Sequence, residues 1–133
     1  MTVAIADTHT TVWYLFDDPR LSAAAREAFQ RAIASGDKVG VSSISLAEIV
    51  YLCEKRRIPA NTLESTLALI HDPERVLTEV PLDYTIVEEM KRVPREAVPD
   101  LPDRIIAATG LRLAVPVISR DAKIRAANLR TIW

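Results

Sequence analysis

The stretch Pro99-Asp100-Leu101-Pro102-Asp103-Arg104-Ile105-Ile106-Ala107-Ala108-Thr109-Gly110 sets two carboxylates three residues apart at the head of an apolar, alanine-rich run. That spacing places Asp100 and Asp103 on one face of a helix. Pro102 suits the first helical turn, because its fixed φ matches the helix and its missing N–H would have had no partner there. The spacing therefore predicts a helix that begins with acids and is anchored in the core by Ile105, Ile106, Ala107 and Ala108. Taken alone, Asp100 reads as an N-cap and Asp103 as an acid favoured near the positive end of the helix dipole. The rest of the chain decides whether they do more.

Working outward, Thr2 to Ala6 is a Val/Ile/Ala-rich run that ends at Asp7, as expected of a strand buried on both faces. Thr8 to Phe16 reads as a short helix, and Ser22 caps a second helix that stops at Ser35-Gly36. Lys38 to Ser42 is the next strand, followed by a helix from Ser43 through Glu54 with Glu48 expected in its first turn. Asn61 and Glu64 read as the capping pair of a helix running to Ile70. Arg75 to Val80 is a short strand, Leu82 to Lys91 an amphipathic helix, and Val93 to Pro99 a proline-bearing loop. After the acid-headed helix come a strand from Ala114 to Ser119, a short helix from Asp121 to Ala127 and a last strand from Leu129 to Trp133. Strands alternating with helices imply right-handed βαβ units, a mainly parallel sheet and helices on both of its faces.

The chain has 133 residues, 49% of them hydrophobic and 26% charged, which suits one globular domain over residues 1–133 and excludes a disordered class. Its net charge of −1 gives no bulk attraction to nucleic acid or membrane, so binding to a polyanion must rely on local basic groups or bound cations. From Arg104 onward, Arg104, Arg112, Arg120, Lys123, Arg125 and Arg130 face a lone acid, Asp121. The single Cys53 can form no internal disulfide; with Tyr51 and Leu52 it reads as part of a buried helix face, which suggests a reducing, cytoplasmic setting. No basic-then-apolar leader precedes Asp7 and no run is long enough for a membrane span, so a soluble protein is expected.

Four acids then stand at matching places. Asp7 follows the first strand, Glu48 the second, and Asp121 the late strand, while Asp103 heads its helix. In open parallel sheets the crevice beyond the carboxyl ends of the strands is where ligands bind. Each acid has a local explanation: Asp7 and Asp121 as caps, Glu48 as the Glu of a Ser45-x-x-Glu48 capping box, Asp103 as a dipole acid. Four separate caps meeting in one crevice is the less economical account, since clustered carboxylates repel unless a divalent cation neutralises them. Oxygen donors without a Cys or His cluster suit Mg²⁺ or Mn²⁺ rather than zinc, and Mg²⁺ on few carboxylates shares its remaining positions with waters and phosphate. A phosphodiester is thus the natural substrate class. His9 is expected to be packed or at the surface and His71 solvated in a turn.

These residues resemble the PIN-domain family, and within it the toxin ribonucleases of bacterial VapBC toxin–antitoxin systems. The carriers are Ile5-Ala6-Asp7-Thr8-His9 with Trp13, Asp17 through Ser22, Ser43 through Glu48, Asp100 through Thr109, Ile118-Ser119-Arg120-Asp121 and the closing Thr131-Ile132-Trp133. They span almost the whole chain. Between the paired acids the sequence has Leu101-Pro102 where such proteins often carry an aromatic. The resemblance implies a three-layer α/β/α sandwich, metal-dependent endonuclease action on RNA, a homodimer, and a small antitoxin that blocks the site. Carried over by motif, Asp7, Glu48, Asp103 and Asp121 would be the acidic quartet, Asp100 an accessory acid, and Thr8 and Ser119 supporting groups. Asp7 and Asp121 would fix the metal, and Glu48 and Asp103 would orient a second ion or the attacking water. Arg104, Arg120, Lys123 and the run Lys55-Arg56-Arg57 are the candidate RNA contacts.

Three other readings fit the residues less well, among them a phospho-receiver domain, which needs an acidic pair on the first strand and a late Lys. A haloacid-dehalogenase-like phosphohydrolase needs a second Asp two positions after Asp7, where His9 stands. A catalytically silent interaction module on the same fold would have no use for all four acids.

Overall fold

A computed structural model describes residues 1–133. Five parallel strands, β1 (Thr2–Ala6), β2 (Lys38–Ser42), β3 (Leu77–Val80), β4 (Val117–Ile118) and β5 (Thr131–Ile132), form one sheet in the order β3-β2-β1-β4-β5. Seven helices connect and cover them: α1 (Thr8–Leu15), α2 (Ala23–Ser35), α3 (Ser43–Glu54), α4 (Thr62–His71), α5 (Tyr84–Glu89), α6 (Leu101–Leu113) and α7 (Ala122–Ala126). A single 3-10 turn, Met90–Arg92, follows α5. The mainly parallel α/β sheet expected from the strand–helix alternation is therefore entirely parallel.

The three layers follow from the two-residue period of a strand. In β1, Ala4 and Ala6 pack into one core with Trp13, Leu21, Phe29, Val39, Val41 and Leu77, while the intervening Ile5 packs into a second core with Ile105, Ile106, Ala107 and Ala108 of α6. In β4 the neighbours Val117 and Ile118 divide between the two cores in the same way. Helices α1 and α2 cover the first face, and α5, α6 and α7 the second. Two glycines permit close approach on that second face. A Cβ on Gly40 of β2 would stand 2.7 Å from Val80 Cγ2 and 2.8 Å from Ile5 Cδ1. A Cβ on Gly110 would stand 2.7 Å from Val117 Cγ2, so α6 lies against β4 only because that position has no side chain.

Helix ends follow the local rules. Ser22 accepts from Ala25 N at 3.1 Å, and Gly36 closes α2 in the left-handed conformation at φ 70°. Asn61 precedes α4 without a side-chain capping bond; there the Thr62 hydroxyl donates to Pro59 O at 2.6 Å instead. Other expectations need correction. The N-cap of α3 is Ser42, so Glu48 falls in the second turn, and Ser45 does not cap. Strands β4 and β5 are two residues each, shorter than read, because β4 pairs with β1 and with β5 over only Val117 and Ile118. The Leu82 to Lys91 helix is α5 plus the 3-10 turn. Tyr51 is 66% exposed and Cys53 half-buried, so that stretch is not a buried face. No helix is long and apolar enough to cross a membrane.

Candidate active site

The order β3-β2-β1-β4-β5 sends the chain outward from β1 through β2 to β3 and then back to the other side of β1 for β4. Strand order thus reverses between β1 and β4, the place where a parallel sheet opens a crevice at its carboxyl edge. Asp7 leaves β1 and the loop Ser119-Arg120-Asp121 leaves β4 at this point. The two are tied together: Asp7 N donates to Ile118 O at 3.2 Å, and the buried Thr10 hydroxyl donates to the same carbonyl at 2.9 Å.

A cavity of about 370 Å³ opens there, lined by Asp7, Thr8, His9, Trp13, Glu48, Asp100, Asp103, Arg120 and Asp121. All four acids of the expected quartet line it, together with Asp100 and Thr8. Ser119 lies buried just behind, where its hydroxyl accepts from Asp121 N at 3.0 Å. The cavity draws on both strand ends and helix starts, which explains why acids dominate: three of these carboxylates are also N-caps. Asp7 Oδ1 accepts from Thr10 N at 2.9 Å to start α1. Asp100 Oδ1 accepts from Asp103 N at 3.1 Å to start α6. Asp121 Oδ1 accepts from Lys123 N at 2.8 Å and Ile124 N at 3.1 Å to start α7. Capping and lining the cavity are therefore compatible, since each cap uses one carboxylate oxygen and leaves the other without a protein partner.

Glu48 and Asp103 are the acids that cap nothing, and they carry the electrostatic load. Burial pushes the Glu48 carboxyl up; the Thr8 hydroxyl, which donates to Glu48 Oε1 at 2.5 Å, opposes this, while the charges of Asp100 and Asp7 add to it and His9 partly offsets them. The Thr8 hydroxyl also lies 3.0 Å from the buried Ser45 hydroxyl, so α1 and α3 are joined beneath the cavity. Asp103 accepts no hydrogen bond, and its carboxyl is pushed up to about 7, first by burial and then by the charges of Asp100, Asp121, Glu48 and Asp7.

Not every expected residue comes to the cavity. Arg104, read as an RNA contact, is committed elsewhere: its Nε donates to Val93 O at 2.9 Å and an Nη to Met90 O at 3.0 Å, tying α6 to the end of the 3-10 turn. Lys123 is exposed and outside the cavity lining; its contribution is the backbone N–H that Asp121 caps. Lys55, Arg56 and Arg57 form an exposed turn after α3. Arg120 does line the cavity. His9 sits at its rim, with its ring centroid 5.7 Å from that of Trp13. Sequence reading did not assign a role to Trp13, which is 4% exposed beneath Arg20, Arg120, His9 and Trp133. Its position four residues after His9, one helical turn on, was the available signal.

Hard oxygen donors in this number fit Mg²⁺ or Mn²⁺. No three His, Cys, Asp or Glu groups stand close enough to form a ready-made metal cluster, so the carboxylates ring the cavity rather than close on one point. That arrangement matches a cation that keeps several of its waters.

Comparison with known proteins agrees with this geometry. The chain is 28% identical over 126 residues to Ribonuclease VapC22 of Mycobacterium tuberculosis, covering 94% of this chain and 92% of that protein. Its fold superposes on a VapBC complex bound to DNA from Salmonella typhimurium with TM-score 0.72 at 20% identity, covering 98% of this chain and 97% of the other. It superposes on VapBC2 of Rickettsia felis, bound to a promoter DNA fragment, with TM-score 0.71 at 12% identity and the same 98% and 97% coverage. A toxin–antitoxin complex from Klebsiella pneumoniae matches with TM-score 0.61 at 22% identity, covering 92% and 90%. The PIN domain model matches residues 4–128, from β1 to the end of the α7 region, and the chain belongs to the PIN domain family.

Proposed function

We propose that this protein is a metal-dependent endoribonuclease and the toxin of a toxin–antitoxin pair. The observation that carries the reading is the convergence of Asp7, Glu48, Asp100, Asp103 and Asp121 on one cavity at the β1/β4 switch point. A carboxyl pushed up to about 7 by burial and then by four neighbouring acids, as Asp103 is, supports a functional site that positive charge would stabilise. The name of the Mycobacterium tuberculosis relative and the toxin–antitoxin complexes of similar fold support the same reading.

Asp7, Glu48, Asp103 and Asp121 would hold Mg²⁺ or Mn²⁺, which supplies positive charge for the developing phosphorane-like transition state and acidifies a bound water. The chain's own groups do the positioning. The caps on α1 and α7 fix Oδ1 of Asp7 and Asp121 and leave Oδ2 of each for the cavity. Thr8 holds Glu48 Oε1, so that Oε2 can orient the attacking water and accept its proton. Ser119 holds the backbone of Asp121. Asp100 is an outer carboxylate, exposed and occupied with capping α6. The partner that restrains this activity is a small antitoxin carrying Arg, whose guanidinium pairs bidentately with the carboxylates. We further assign the protein a single domain, a homodimeric state and a cytoplasmic setting; the unpaired Cys53 is consistent with the last.

The test is cleavage of cellular RNA by purified protein with Mg²⁺ or Mn²⁺, with and without chelator. Asp7→Asn, Glu48→Gln, Asp103→Asn and Asp121→Asn should each lower cleavage by more than about a hundredfold, and Asp100→Asn by less. Full activity in any two of the four would end the assignment. A neighbouring small protein that binds a distant face and leaves the cavity open to RNA would end the proposed mode of inhibition.

A further inference from the structure

A cavity ringed by five carboxylates repels the polyanion it is proposed to cut, so something on the chain itself must hold the RNA backbone in register. Arg120 is the only Lys or Arg that lines the cavity. Arginine among carboxylates ordinarily pairs with them through its planar fork. Here it does not: the guanidinium of Arg120 forms neither an ion pair nor a hydrogen bond with any acid of the cavity, whereas Arg104, Arg20 and Arg26 are each engaged, on backbone carbonyls, on Asp18 and on Asp17 respectively.

What holds Arg120 off the acids is Trp13. Its guanidinium carbon stands 4.7 Å from the Trp13 ring centroid, and Arg20 stands 5.0 Å from the same ring. The indole is itself fixed, being buried and packed against Trp133 with centroids 5.7 Å apart. The backbone of Arg120 is fixed too, between the buried Ser119 and the cap of α7. A guanidinium held over a ring by cation–π attraction needs no acceptor oxygen, and the Arg120 side chain donates no hydrogen bond, so its N–H groups stay available to a ligand.

We propose that Arg120 is a substrate-positioning residue, parked on Trp13 so that its donors grip a phosphodiester of the RNA as it enters the acid cavity. Trp13 is the positioning residue behind it. The proposal rests on the nuclease reading given above and adds the group that recognises the backbone.

The experiment measures binding apart from cleavage. A short fluorescein-labelled single-stranded RNA is titrated by fluorescence anisotropy with Ca²⁺ in place of Mg²⁺, its integrity checked on a gel, and cleavage kinetics are measured separately with Mn²⁺. Arg120→Ala should bind about tenfold to a hundredfold more weakly, the loss expected for a charge-assisted hydrogen bond to phosphate. The slope of log Kd against log salt should fall by about one. KM should rise by the same factor while kcat stays within about threefold, because uniform binding has been removed. Arg120→Lys should recover part of the affinity, and Arg120→Gln none. Trp13→Phe should weaken binding a few-fold without abolishing it. Arg120→Ala with wild-type affinity and salt slope, in a protein whose wild type cleaves RNA, overturns the proposal and leaves the nuclease reading standing. The same holds if Arg120→Ala only lowers the melting midpoint, since that would make the residue a cover for Trp13. A wild type that neither binds nor cleaves RNA overturns both.

Discussion

At its N-terminal end α6 carries Asp100 and Asp103 into the acid-lined cavity, whereas from the second turn onward it presents Ile105 to Gly110, all buried against the sheet. The first end holds a carboxyl that burial and four like charges push up to about 7. The second is apolar, closely packed, and brought into contact with β4 by the missing side chain of Gly110. The contrast shows how a repulsive site is made stable. Charges that would drive the cavity apart are attached to a helix whose other end is seated too firmly to move, and Arg104 adds a clamp from the helix to Val93 and Met90. Stability resides at one end and chemistry at the other, so substitutions at the two ends should differ in sign as well as in size.

The largest effect belongs to the packed end. Ile106→Ala removes a fully buried side chain and should cost about 2–5 kcal/mol in a denaturant melt. A cost below about 1 kcal/mol would mean that the helix resettles and that the proposed anchor is soft. Next is Gly110→Ala. The added Cβ would meet the branched Val117 at 2.7 Å and Val115 O at 3.2 Å. Overpacking of this kind costs up to about 3 kcal/mol, and alanine's better helix propensity returns about 1, so a net loss of about 2 kcal/mol is expected. A variant that melts at or above the wild-type midpoint would show that α6 can slide along β4 freely.

At the charged end the sign reverses. The folded-state carboxyl of Asp103 lies above its ordinary value of 3.8, at about 7. A carboxyl raised in this way favours the fold fully below about pH 4, and that contribution is lost as pH rises through about 7. Asp103→Asn lacks this loss. In chelator and low salt at pH 8, it should melt about 4 °C higher than wild type, or about 1 kcal/mol after allowing for screening at a half-exposed site. The two should converge near pH 4, and the variant should gain less from added Mn²⁺. If Asp103 acted only as a helix-dipole acid, the variant would instead melt lower at neutral pH. The smallest effect is at the far terminus, where Ala114 ends α6 at φ 56° and its carbonyl accepts from Arg130 at 2.9 Å. Ala114→Gly should stabilise by about 0.5 kcal/mol, because glycine adopts the left-handed conformation without a Cβ penalty. A loss there would indicate that the alanine methyl makes a contact worth more than the strain.

How far the sequence could be read depended on the range of the interaction. Asp7, Ser22, Asp100 and Asp121 act on N–H groups two or three residues ahead, and each is legible as a cap from its neighbours alone. Glu48 was less so, because Ser45, the capping residue suggested by the spacing, is buried against Thr8, thirty-seven residues away, and Ser42 takes the cap. Tyr51 and Cys53 were misread for the same reason. Their apolar character gives no hint that Tyr51 is left 66% exposed and Cys53 only half-buried.

Most strand runs, the caps at Asp7, Ser22, Asp100 and Asp121, the proline at the head of α6 and the oxygen-only chemistry of the acids were determined by the sequence itself, because each depends on propensity, on bonds between near neighbours, or on residue type. Only the tertiary structure decided that β4 pairs with β1, and so that Asp121 meets Asp7 across the switch point. It also decided which arginine remains available. Arg104 and Arg120 have the same side chain and similar flanks, yet one spends its donors on the carbonyls of Val93 and Met90 while the other rests on Trp13 beside the cavity. Competition for partners among groups distant in sequence settles such outcomes. So does the field at Asp103, which sums the burial and the charges of Asp7, Glu48, Asp100 and Asp121, contributed by four separate segments of the chain.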